Sequence, residues 1–207
     1  MATNPTAQEH GFKGRGRPRE FDLNEVLDKA AQVFCERGYH ATSISDLTSG
    51  MALASGSVYK AFKDKRTVFL ATFDRYRAVR DAQLKAAIDQ GNNGRERVQR
   101  VVEFYSTASH GLVGQRGCMV INCAAELATF DAEIALRVTT SLNRSEALLT
   151  KLICQGQTDG SIPVSIDSKS TARSMLCLLQ GMRIVGKTGR SKKQMQAVAD
   201  MALKLLI

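Results

Sequence analysis

Between Arg19 and Ile207 the chain carries a single proline, Pro163. A proline inside a helix removes a backbone donor and clashes with the preceding turn, so helices tend to stop near one. With that barrier missing, long stretches are free to run as helix, and the apolar residues follow. Val26, Leu27, Ala30, Ala31 and Phe34 recur at helical spacing. No alternating run of apolar and polar residues competes with that pattern, and no internal repeat is visible. The expectation is an all-α chain, and its 207 residues are enough for one large domain or two small ones with a proper core.

Capping residues and glycines divide the chain. Asp22 or Asn24 caps a first helix, which Gly38 ends in the manner of a left-handed C-terminal residue. Ser43 caps a short second helix carrying Ile44 and Leu47, with Asp46 in the capping-box position and Gly50 as its break. A third short helix covers residues 55–61. Asp64 caps a longer fourth through Val68, Phe69, Phe73 and Tyr76, ending at "DQGNNG", residues 89–94. Further helices are predicted over residues 95–112, 131–158, 168–187 and 192–206, with a break at "GQRG", an apolar stretch over 118–130 and a loop at "DGSIPVSID".

The formal net charge is +9 and the isoelectric point near 9.5, so the partner is expected to be an anion. Double-stranded nucleic acid leads, ahead of an acidic membrane surface. No apolar run approaches the ~18 residues of a spanning helix. The polar start lacks a secretory core, which points to the cytoplasm. The five cysteines, Cys35, Cys118, Cys123, Cys154 and Cys177, are irregularly spaced without a CxxC pair. That argues against a disulfide framework or structural zinc and for reduced, mostly buried thiols. The sequence shows no nucleophile elbow, phosphate loop, metal-ligand spacing or suspicious acid pair, so neither an enzyme nor a cofactor is expected.

Three short helices in the first ordered stretch, the second and third joined by a tight turn, make a helix-turn-helix arrangement. Ile44, Leu47, Leu53, Val58 and Phe62 can pin them together. Ser55, Ser57, Tyr59, Lys60 and Lys63 are left for the outer face, where lysines neutralise phosphate and hydroxyls bind phosphate or base edges. A merely solvated face accounts for the lysines but not for a short hydroxyl-rich helix behind a tight turn. "KGRGRPRE", residues 13–20, is thin and basic. Arg15, Arg17 and Arg19 suit a minor groove better than a solubilising tail, because the strip abuts the first helix.

Residues 30–76 resemble the DNA-binding domain of the TetR/AcrR repressors. The landmarks are Phe34-x-x-x-Gly38-Tyr39, Thr42-x-Ile44-x-x-Leu47, Gly56-Ser57-Val58-Tyr59-x-x-Phe62 and Asp64-Lys65, all in register. The resemblance implies base and phosphate contacts from Ser57, Tyr59 and Lys60, backbone-phosphate contacts at Thr42 and Ser43, and a phosphate anchor at Lys65. Tyr39 packs under the helices. Two positions depart from the family's pattern. Ala52 replaces the usual turn glycine, and Ala54 replaces the usual serine or threonine cap, leaving Ser55 as the candidate cap.

The resemblance divides the chain into a basic arm (1–19), a DNA-binding domain (20–66) and a helical effector-binding and dimerisation domain (67–207). "GCMVINCAAELATFDAEI", residues 117–134, looks like one branch of the family. By analogy a pocket is expected, with Phe69, Phe73, Phe104, Tyr105, Met119, Cys123 and Phe130 as candidate lining, each of them suited at least as well to plain core packing. The last two helices imply a four-helix homodimer interface through Met175, Leu178, Leu179, Met182, Met195, Val198 and Met201, residues that would also serve an internal core. The expected function is a homodimeric repressor released from a palindromic operator by a small-molecule effector. A thiol- or metal-responsive repressor using Cys118 or Cys123 is the alternative, with Arg116 placed to lower the Cys118 pKa. A non-specific nucleoid protein would bind by charge alone and leaves the C-terminal apolar helices unexplained.

Overall fold

A computed structural model describes residues 22–207. The strip with Arg15, Arg17 and Arg19 lies outside the described residues. Helices α1 (Leu23–Arg37), α2 (Ile44–Met51), α3 (Ser55–Ala61), α4 (Lys65–Ile88), α5 (Gly94–Thr107), α6 (Gly111–Arg116), α7 (Met119–Glu126), α8 (Ala132–Asp159), α9 (Ser168–Gly186) and α10 (Lys192–Leu203) follow in order, and a 3-10 turn (Lys204–Leu206) closes the chain. The fold is all-α, with no strand among the described residues.

Most helix starts are fixed by side chains next to them in sequence. Asp22 accepts from the Asn24 amide, and Ser43 and Asp46 form the reciprocal capping box. Asp64, Asn93, Asp131, Asp167 and Ser191 each accept a first-turn amide. Each such cap satisfies a backbone donor that the helix itself cannot.

Three local expectations are corrected. Gly50 does not break α2, which runs on to Met51. Instead a Cβ at Gly50 would collide with Val33 of α1, so the glycine permits the two helices to approach. The turn is made by Ala52, left-handed at φ 55°, the one non-glycine residue with positive φ among those described. Ser55 does not cap α3. Ala54 occupies the cap position and makes no side-chain bond. The helix predicted to end at residue 112 stops at Thr107, and a separate α6 begins at Gly111. The Ser109 hydroxyl donates to the Tyr105 carbonyl there, and Gly186 of α9 lies against the Ser109 backbone with no room for a Cβ.

Two apolar cores result. One joins Leu27, Phe34, Leu47, Val58 and Phe69 of α1–α4 to Met119 and Cys123 of α7 and Ile134 and Val138 of α8. The other lies among α4, α5, α8, α9 and α10, around Val98, Leu152, Ile153, Met175, Leu179 and Met195. The first core therefore extends from the helix-turn-helix into the C-terminal half.

Candidate nucleic-acid interface and cavities

α3 is held from one side. Val58 is 1% exposed and Phe62 7%, while Tyr59 is 56% exposed and Ser55, Lys60 and Lys63 also face out. Ser57 is half-buried at the edge of this face. A Cβ built on Gly56 meets open space, so the outer surface of the first turn is bare backbone. Anchor residues inward and hydroxyl, phenol and ammonium groups outward suit a groove-reading helix.

Two residues expected at this surface are committed elsewhere. Thr42 is 1% exposed, and its hydroxyl donates to the Gly38 carbonyl at 2.6 Å, closing the turn after α1. Lys65 sends Nζ to the carbonyls of Tyr39 and Thr42, both at 3.0 Å, and lies 4.3 Å from the Tyr39 ring centroid. It braces the α1–α2 turn from the start of α4. Ser43 is exposed, yet its hydroxyl donates to Asp46 and accepts from the Asp46 amide. Tyr39 packs against Phe34 and Phe69, as its place in the pattern implied.

The C-terminal end of α1 is gripped by the rest of the molecule. Glu126 accepts from the Tyr39 and His40 amides at 3.0 and 2.7 Å. The Asn122 amide donates to the Cys35 carbonyl, and Arg116 pairs with Glu36 at 2.8 Å. Arg66, at the start of α4, pairs with Asp131 and Glu133. None of these ties was anticipated from sequence, because each joins positions tens of residues apart.

The expected pocket lining is largely misplaced. Phe69, Met119 and Cys123 are core residues, exposed by no more than 3%, and Phe130 is 85% exposed at the surface. Phe73 is buried too but touches a surface recess with Arg137 and Arg144. Phe104 and Tyr105 do line a narrow cleft of about 30 Å³, together with Tyr76, Arg80, Cys118, Ser141 and Arg183. A roomier cavity of about 240 Å³ lies against α1, walled by Ala31, Cys35, Val79, Val113, Arg80 and Arg183. The two spaces thus set Arg80, Arg183 and the Tyr76 phenol among apolar walls.

Cys118 sits where these features meet. Its thiol accepts from the Tyr76 hydroxyl at 3.5 Å. Burial alone would push its pKa up. The Arg183 guanidinium, the Tyr76 hydroxyl and the amides of Ile121 and Val120 outweigh that and hold it below the usual thiol range. Arg116, the expected cause, is paired with Glu36 instead. Burial pushes Cys35 up to about 12 and Cys123 higher still. No group of three or more metal-binding side chains occurs among the described residues.

The residues expected at a dimer surface fall into two groups. Met175, Leu179, Met182 and Met195 are exposed by no more than 3%, buried within the single chain, and Val198 is half-buried. Leu178 and Met201 stay exposed at 39% and 59%, joined by Ile184, Val185 and Leu205. No helix is long and apolar enough to cross a membrane among the described residues.

Residues 26–72 match the model of "bacterial regulatory proteins, tetR family", and residues 94–202 that of a "tetracyclin repressor-like, C-terminal domain". The HTH-type transcriptional repressor ComR of Escherichia coli (strain K12) is 30% identical, over 99% of this chain and 97% of its own. A cysteine-substituted CifR, a TetR family transcriptional regulator solved with 26-bp double-strand operator DNA, is 26% identical at a TM-score of 0.78, covering 91% of this chain and 98% of that one. A further CifR variant at 24% identity superposes with a TM-score of 0.82 over 93% of this chain and 100% of its own, a likeness of fold.

Proposed function

The chain belongs to the TetR family of bacterial regulatory proteins, and on that premise we propose that this DNA-binding transcriptional regulator is a dimeric repressor that a small-molecule effector releases from a near-palindromic operator. It is a regulator and not an enzyme. The observation that carries the reading is α3 itself, anchored by buried Val58 and presenting Tyr59, Lys60 and Ser57 around the bare backbone of Gly56, with Lys63 exposed just beyond its end. Two copies of α3, one per protomer, enter successive major grooves about one helical turn apart. Arg15, Arg17 and Arg19 follow the flanking minor groove. The operator and a second copy of the chain are the partners, and the cytoplasm is the place of action.

The repressor role is supported by the name of the ComR relative. Effector release is supported by the cavity that touches both α1 and Arg183 of α9. An occupant that binds one arrangement of these helices better than another shifts the dimer toward it and changes the spacing of the two α3 helices. Gel-shift titration against a selected duplex, with a shuffled duplex as competitor, tests the reading. Equal binding to both would sink it.

The environment of Cys118 favours a second reading, a repressor released when this thiol is oxidised or alkylated. The thiolate is the reactive form, and Arg183 and Tyr76 favour it. Cys118→Ser would then hold the operator in the presence of an alkylating agent that displaces the native chain. Release of both at the same dose rules this reading out.

A further inference from the structure

The guanidinium of Arg183 is a buried charge with no carboxylate partner among the described residues, and the Cys118 thiol is an ionisable group it acts on. The residue is 3% exposed. One of its terminal nitrogens, Nη2, donates to the Gly117 carbonyl at 2.6 Å, while Nη1 has no partner. Isolating a cation from water costs several kcal/mol unless an anion and hydrogen bonds replace the lost solvation. The other arginines around the cavities are already neutralised. Arg77 pairs with Asp81, Arg116 with Glu36, and Arg75 takes the carboxylate of Asp28. Arg80 lies 4.1 Å from the Phe104 ring centroid and, like Arg183, forms no ion pair among the described residues.

Arg80, Arg183 and Tyr76 line both the narrow cleft of about 30 Å³ and the cavity of about 240 Å³. They stand between two spaces, offering two guanidinium groups without carboxylate partners and a phenol. Ala31 and Cys35 of α1, Val79 of α4 and Val113 of α6 make an apolar stretch of the wall, and the one carboxylate in it, Asp28 of α1, is paired with Arg75. From this juxtaposition we propose that the effector is a small organic carboxylate, its carboxylate held by Arg183 and Arg80 and its apolar body lying in the cavity against α1. The larger cavity accommodates roughly ten non-hydrogen atoms at interior packing density. A bidentate guanidinium–carboxylate contact supplies the missing acceptor for Nη1.

The position explains how such a ligand would be felt at the DNA. The cavity wall includes Asp28, Ala31, Gln32 and Cys35 of α1, and α1 packs on both α2 and α4. Arg183 also holds the Gly117 carbonyl, at the junction of α6 and α7, whose residues Arg116, Asn122 and Glu126 grip the end of α1. A carboxylate on Arg183 therefore acts on both sides of that grip.

This inference rests on the reading that the core takes an effector, and the experiment separates the two. Full-length protein is titrated with benzoate and octanoate, and with benzamide and octanamide as uncharged counterparts, reading the thermal midpoint and operator affinity. The acids should raise the midpoint saturably and weaken operator binding, while the amides should do neither. Arg183→Met should weaken acid binding by about tenfold or more. Arg80→Met, at a half-buried position, should do so to a lesser degree and serves if the first variant fails to fold. The proposal is overturned if acids and amides act alike, if neither acid binds, or if a folded variant responds as the native chain does. It is also overturned if the acids bind without changing operator affinity. Should iodoacetamide modify Cys118 rapidly at neutral pH in the native chain while the acids leave that rate and the midpoint unchanged, the anion beside Arg183 is the thiolate and the proposal falls. Operator binding measured without any ligand stands apart from all these results, and its absence would contradict the DNA-binding reading instead.

Discussion

At the scale of single residues, the recognition helix trades stability for approach. Gly56 sits in the first turn of α3 with open space beyond it. Gly56→Ala should stabilise the fold by about 0.5–1 kcal/mol, since a helical glycine costs that much in chain entropy. The same methyl would project toward the DNA, so operator affinity should fall while the melting temperature rises. A variant that gains stability and keeps full affinity would remove Gly56 from the interface. Tyr59→Ala and Thr42→Val make a complementary pair. The first should cost about tenfold or more in operator affinity with the melting temperature unchanged, as for loss of a base-edge contact. The second should cost about 1–3 kcal/mol of stability, because the Gly38 carbonyl loses its buried donor. Denaturation and anisotropy titrations on both variants decide whether these neighbours are divided as described. Thr42 illustrates the limit of sequence reading. A threonine one residue before an N-cap looks exposed, and only the fold of the turn after α1 shows its hydroxyl pointing back into that turn.

Among the elements, caps were legible and faces were not. The roles of Asp22, Ser43 with Asp46, and Asp64 follow from partners two or three residues away. α3, like α6 and α7, has no side-chain cap, its cap position being Ala54. Ala54→Ser should add about 1 kcal/mol of stability, read as a higher melting temperature and slower amide exchange in residues 55–61. No gain would mean that the first turn is satisfied in some other way. The acidic caps also set the acid limb of stability. Backbone amides hold Asp64, Asp131 and Asp167 below the ordinary value of 3.8, as does the Ser43 hydroxyl for Asp46. Groups with depressed pKa values stabilise the fold above the unfolded value and lose that contribution as pH falls through the folded one. The melting temperature should therefore be insensitive to these caps above about pH 5 and fall steadily below 3.8. For α9 and α10, a stripe of apolar residues told of burial without saying against what. Met175, Leu179 and Met182 turn into the chain's own core, and Leu178, Val185 and Met201 turn out. Leu178→Glu with Met201→Glu should give a folded monomer in sedimentation, whereas Met182→Ala should lower stability and leave the dimer intact. Dissociation by the core substitution alone would reverse this assignment.

Over the whole molecule, the helix-turn-helix is not an independent cap on the C-terminal helices. It shares a core with α7 and α8, and Glu126, Asn122, Arg116 and Arg66 fasten α1 and α4 to the other half. The apolar spacing was enough to read an all-α chain, and the landmarks of residues 30–76 carried the resemblance to a regulator. The fastening was not readable, because it depends on polar pairs such as Tyr39 with Glu126 that only the folded chain brings together. The narrow cleft and the open cavity beside it were hidden for the same reason. Their defining residues, Arg80 and Arg183, are ordinary charged positions of two helices until the fold buries one and stacks the other on Phe104. The central claim is that this assembly reads a specific site on duplex DNA. The most direct measurement is competition anisotropy at about 0.15 M salt, comparing a duplex selected by the full-length protein with a shuffled duplex of equal length and composition. The account predicts that the selected duplex binds at least about 10³-fold more tightly, with two protomers per site. Equal affinities that fall together as salt is raised would contradict it.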